Sequence, residues 1–155
     1  WKTVGLHTFG LLDKLRQLLP VPAFVAVIDG LLRHPDTAVR RRALHFLNAQ
    51  LAAATSTGGL APGSAALFLD LVPGLLRAAK DSNETPANRQ AAILSVDVLV
   101  RFLGPEHRRA FRSTLDEALA LATEGSGDGE EGEEGNALVR AGACVLLGSL
   151  AAILG

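Results

Sequence analysis

Three arginines constrain this chain more than any other feature. Arg40, Arg89 and Arg140 lie 49 and 51 residues apart, each shortly after a turn, and each opens the same pattern. Three residues on comes a small side chain, Ala43, Ala92 or Ala143; four on comes Leu44, Ile93 or Cys144; seven on comes Leu47, Val96 or Leu147. Spacings of three, four and seven place these residues on one face of an α-helix. An alanine at the centre of such a face lets a neighbouring helix approach closely, and the apolar residues a turn to either side fill its grooves. A pattern that returns at a fixed period marks a repeat architecture, in which each unit leaves an apolar face open for its neighbour to cover.

Proline and glycine punctuation divides the 155 residues into about seven helical segments. The first runs from about Val4 to Leu19 and the second from Pro22 to Arg33. Asp36 is a natural N-cap for the third, Thr37 to Ala54, and Thr55 to Gly63 is a connector. The fourth, Ser64 to Lys80, is expected to bend at Pro73. Thr85 caps the fifth, with Pro86 at its first position, where the missing N–H costs nothing. It ends at Leu103, where Gly104 and Pro105 break the chain, and the sixth spans Glu106 to Thr123. Glu124 to Gly135 has no apolar side chain to order it and is expected to be a mobile loop. Asn136 is expected to cap the seventh helix, which runs to Leu154 and is apolar on nearly every face, hence expected to be buried between neighbours.

The fold expected is therefore all-α: one α-α superhelix. It contains hairpins at residues 21–54, 64–103 and 105–154, a helix of a preceding unit at 1–20, and an acidic loop at 124–135 inside the third hairpin. Aromatic content of 5%, with one Trp and no Tyr, suits close aliphatic helix packing better than a sheet. The single Cys144 has no internal disulfide partner and sits in an apolar run, so an inert core thiol and a reducing compartment are expected. No basic, apolar leader opens the chain, so secretion is not expected. Its most apolar stretch, Ala141 to Leu154, is shorter than the ~20 residues of a membrane span, so no membrane partner is expected. A start at Trp1 without Met and an apolar final segment suggest a piece excised from a longer protein.

No pairing of nucleophile with base, no carboxylate pair and no zinc-like spacing is visible, and His7, His34, His45 and His107 fall in separate segments. No catalytic residue, metal, cofactor or small-molecule substrate is therefore expected. The formal charge of −1 conceals a separation. Six of the sixteen carboxylates lie in the acidic loop (Glu124, Asp128, Glu130, Glu131, Glu133, Glu134), leaving fifteen basic against ten acidic residues elsewhere. Arg41, Arg42, Arg108, Arg109 and Arg112 are the surface candidates for contact with a partner or with phosphate, which attracts guanidinium groups and releases counterions. The alternative is that they form solvated faces or salt bridges within the repeats. Arg40 is assigned instead to packing on the neighbouring turn, reaching an Asp there. Asn48 and Asp97 share a repeat position, either as a ridge for a partner or, for Asp97, as an i, i+4 pair with Arg101. The acidic loop repels phosphate; it would dock on a basic partner, compete for the arginines, or be an inert insertion.

Asp36-Thr-Ala-Val-Arg40 followed by Ala43 resembles the turn and second-helix start of a HEAT repeat, and Pro73 is similar to the kink in that family's first helix. Asn88-Arg89 departs from the usual Val-Arg pair, and the acidic insert enlarges the third turn. Asp36, Arg40, Ala43, Arg89, Ala92, Arg140 and Ala143 would be its structural repeat positions. The stretch from Phe24 to Leu51, and the Arg-Arg-x-Ala-Leu-x-x-Leu-Asn motif ending at Asn48, resemble the giant HEAT-repeat subunits of the ribosomal small-subunit processome. That resemblance implies a non-catalytic, nucleolar scaffold among other assembly-factor proteins, with roles in pre-rRNA processing and rDNA transcription. It also implies contacts to pre-rRNA or snoRNA through the arginine clusters. A HEAT or armadillo adaptor for nuclear transport, trafficking or chromosome organisation, acting in nucleus or cytoplasm, is the alternative.

Overall fold

A computed structural model describes residue 14, residues 18–124 and residues 133–155. Most of the expected first helix, Val4 to Leu19, and most of the acidic loop lie outside the described residues. The remaining elements are α1 (Val21–Leu32), α2 (Thr37–Ser56), α3 (Ala65–Leu69), α4 (Val72–Lys80), α5 (Pro86–His107), a 3-10 turn (Arg108–Phe111), α6 (Arg112–Thr123) and α7 (Glu133–Leu154). The chain folds as a HEAT-type α-α superhelix.

Local chemistry sets the helix starts. The Asp36 carboxylate accepts from the Ala38 N–H at 2.8 Å, and the Thr85 hydroxyl accepts from the Asn88 N–H at 3.3 Å with Pro86 at the first position. The two inner prolines act differently from expectation. Pro73 does not bend one long helix but separates two: α3 ends at Leu69, and α4 restarts with Pro73 in its first turn, where no N–H is needed. Pro105 does not end α5, which continues to His107 and breaks there, at φ −120° and ψ 34°. Pro105 cannot donate to the Arg101 carbonyl and its ring crowds that group, and α5 ends two residues later, with Leu103 and Gly104 just before the proline buried. The sixth helix accordingly starts at Arg112, after the 3-10 turn, and not at Glu106.

The helices form two layers, with α1, α4 and α6 in one and α2, α5 and α7 in the other; α5 packs on α2, α4 and α7, and α7 also on α6. Within the second layer the helices run parallel. Asn88 near the start of α5 bonds to Thr37 at the start of α2, and Ser95 bonds to Asn48 half-way along. A Cβ placed on Gly135 would meet Pro86, one on Gly142 would meet Ile93, and one on Gly104 would lie 2.6 Å from Ile153 Cδ1, so α5 and α7 match from end to end. Ala43, Ala92 and Ala143 are all 0% exposed, at equivalent points of this stack. Around them Leu47, Leu75, Ile93, Val96, Leu99, Phe111 and Leu146 form one continuous apolar core.

Three expectations about the last hairpin need correction. α7 begins at Glu133, so Asn136 lies inside the helix and does not cap it. It is not buried on every side: Leu138 and Val145 are exposed, and so is Cys144. The cause is positional. Leu44 and Ile93 occupy the same register and are buried because the next hairpin covers them, whereas no described residue covers Cys144. Finally, the helix from Glu134 to Leu154 is long and apolar enough to cross a membrane by length and composition, which the shorter run from Ala141 did not indicate. One side of it packs on α5 and α6, and 28% of its most apolar window is buried.

Candidate functional site

The repeat arginines act between hairpins. Arg40, near the start of α2, donates through Nη1 to the carbonyls of His34 and Pro35, both at 2.7 Å, and through Nη2 to Thr37 Oγ1 at 2.8 Å. Its Nε donates to Glu84 Oε2 in the turn of the next hairpin. One guanidinium thus holds its own turn and grips the following one. The acid is Glu84 and not an Asp; Asp81, in the same turn, instead accepts from the Asn83 N–H at 2.9 Å. Burial pushes the Glu84 carboxyl up, but hydrogen bonds from Arg40, the Thr85 N–H and the Asn88 amide outweigh it and hold the group below the usual carboxylate range. The hydrogen bond to Glu84 correspondingly raises Arg40 above its ordinary value.

Arg89 repeats the arrangement one hairpin further on, donating through Nε to the Ala79 carbonyl at 2.7 Å and through Nη2 to Glu124 Oε2. Glu124 therefore belongs to the ordered junction and not to a mobile loop. Arg140 stands half-buried at the third equivalent position. Asn88, the departure from the usual Val, is 2% exposed and donates to Glu84 Oε1 at 3.0 Å and to the Thr37 carbonyl at 3.3 Å. It supplies hydrogen bonds to the joint that a Val cannot.

A second ladder runs down the middle of the layer. Ser95 Oγ donates to Asn48 Oδ1 at 2.8 Å, and Ser149 Oγ donates to Asp97 Oδ1 at 2.6 Å. Asn48 and Asp97 are thus acceptors between stacked helices and not a ridge for a partner, and Asp97 also pairs with Arg101 at 2.7 Å. Sequence reasoning missed Glu84, Glu124, Ser95 and Ser149. The available signal was a carboxylate in the turn after each repeat arginine, but the separations of 44 and 35 residues differ because the turns differ in length.

The five surface arginines do not form one patch. Arg41 and Arg42 lie at the start of α2, where Arg41 Nε donates to Asn88 Oδ1 at 3.4 Å. Arg108, Arg109 and Arg112 follow the far end of α5, whose 22 residues span roughly 33 Å. All five are exposed, on opposite edges of the stack. A groove of about 770 Å³ separates α4 from α6, floored by Leu69, Val72 and Leu76 and bridged by a Lys80–Glu117 ion pair at 2.8 Å. Among the described residues no three His, Cys, Asp or Glu side chains gather as a metal-binding group. His34 serves its turn, accepting from the Asp36 N–H at Nδ1, 3.1 Å.

No family model matches the chain. It is similar to HEAT repeat-containing protein 1 of Homo sapiens, with 35% identity over 94% of the chain and 7% of that protein. The Danio rerio protein of the same name is 31% identical over 90% of the chain and 7% of its own length. The Dictyostelium discoideum homolog is 33% identical over 67% of the chain and 5% of its own length. The chain thus spans less than a tenth of each of these three curated relatives.

Proposed function

Because this chain belongs to the HEAT-repeat proteins, as a segment homologous to part of HEAT repeat-containing protein 1, we propose that it is a non-catalytic scaffold segment in ribosome biogenesis. It serves assembly of the small-subunit processome in the nucleolus, and through it pre-rRNA processing and rDNA transcription. The observation that carries a scaffold role is the stack itself. Three hairpins share one register, locked by Arg40–Glu84 and Arg89–Glu124 at the edge and by two serine hydrogen bonds inside. Such a solenoid offers extended surfaces that hold position, which suits the gathering of several proteins. The ribosomal assignment rests on the resemblance of the stretch Phe24 to Leu51 to processome HEAT subunits. Its partners are other assembly-factor proteins, with RNA contacted through surface arginines.

The test is affinity purification of the tagged chain from nucleolar extract, with the recovered proteins and RNAs identified. Enrichment of small-subunit assembly factors together with pre-rRNA is the expected result. Recovery of transport receptors, coat proteins or chromosome-organising complexes instead would replace this reading with that of an adaptor.

A further inference from the structure

Most described cations are engaged. Arg33 pairs with Asp29, Arg40 with Glu84, Lys80 with Glu117, Arg89 with Glu124 and Arg101 with Asp97. Arg41 is tied to Asn88, and Arg42 and Arg140 have contacts of their own. Arg77, Arg108, Arg109 and Arg112 are exposed and form no ion pair with a described residue; the last three, although Glu106 and Asp116 lie close in sequence, cluster within five positions. Their backbone is held firmly, because Phe111 in the same turn is 0% exposed and anchors it in the core. Beside them Pro105, Glu106, His107, Arg108, Arg109 and Ala110 line an open hollow that contains no Leu, Ile, Val, Phe, Tyr or Trp.

That composition selects among partners. A protein interface draws its affinity from apolar or aromatic anchors in desolvated pockets, and this edge has none. A single nucleic-acid strand is gripped by stacking bases on exposed aromatics, and among the described residues the exposed large hydrophobics are all aliphatic. A phosphodiester backbone requires only guanidinium donors and positive charge. We propose that the edge formed by Arg108, Arg109 and Arg112 binds the backbone of double-helical RNA without reading sequence, and that Arg41 and Arg42 take no part. The choice of RNA rests on the ribosome-biogenesis reading; the choice of this edge rests on the arginines themselves.

The test measures binding of the 155-residue chain to a short fluorescent RNA duplex by anisotropy across a salt series. Each phosphate contact contributes roughly 0.9 to the slope of log K against log salt for a duplex. Arg108→Ala, Arg109→Ala and Arg112→Ala combined are expected to weaken binding more than tenfold at low salt and to flatten the slope by about 2 to 3. Arg41→Ala with Arg42→Ala is expected to leave affinity and slope unchanged, and circular dichroism melts confirm that both variants fold. The proposal is overturned if the wild type does not bind the duplex, if the triple variant binds as well as the wild type, or if the Arg41, Arg42 variant loses as much. It is also overturned if poly-glutamate of equal charge displaces the duplex as well as unlabelled RNA does, which would indicate an acidic protein partner. None of these failures touches the scaffold reading, whose outcome is the set of proteins recovered from nucleolar extract.

Discussion

At the junction of the first two hairpins Glu84 is 5% exposed and accepts from Arg40, Asn88 and the Thr85 N–H. Deleting it strands those donors, and Glu84→Ala is expected to cost about 1.5 to 3 kcal/mol in denaturant unfolding, the range for hydrogen bonds to charged groups. The same network carries a pH dependence. The folded carboxyl titrates below its unfolded value of about 4.3, so its contribution is complete above that value and is lost as pH falls through the lower, folded one. Thermal melts should therefore show Tm falling below about pH 4, with a shallower fall in Glu84→Gln; an identical fall in both would remove Glu84 from the acid response. Asp97 and Ser149 form a second joint at 2.6 Å. A double-mutant cycle with Asp97→Ala and Ser149→Ala should return a coupling of about 1 kcal/mol or more, whereas additive effects would mean the bond contributes nothing to stacking.

Among the elements, α5 is the keystone, since it touches helices on three sides and meets α7 along its whole length. Gly104 permits the tight end of that contact. A Cβ there would lie 2.6 Å from Cδ1 and 3.0 Å from Cγ2 of Ile153. Gly104→Ala should destabilise by about 1 to 3 kcal/mol through overpacking, and less in an Ile153→Ala background, where the opposing atoms are gone. Equal cost in both backgrounds would point to the backbone and not to the contact. The prolines show how position overrides identity. Pro73 and Pro105 are both helix interruptions in the sequence, yet one separates two helices and the other rides inside a final turn. Position within the helix distinguishes them: Pro73 stands in the first turn of α4, where its missing N–H goes unused, and Pro105 stands two residues before the end of α5.

In the whole molecule, α7 carries the face that α2 and α5 present to the next hairpin, so its Cys144 is open where Leu44 and Ile93 are covered. A thiol reagent should modify Cys144 in the native chain nearly as fast as in denaturant; strong protection would mean that the face is occupied in solution, for example by a second copy. The helical class, the caps at Asp36 and Thr85, and the shared burial of Ala43, Ala92 and Ala143 follow from the chain alone. Each depends on side chains within a few turns of one another, and periodicity records such neighbours. The partners of Arg40 and Arg89 and the serines that reach Asn48 and Asp97 depend on groups 35 to 52 residues apart, and the separation of the surface arginines onto two edges on groups further apart still. Only the tertiary structure decides those, because turns of unequal length set which polar group arrives opposite which, and burial then obliges each to find a partner.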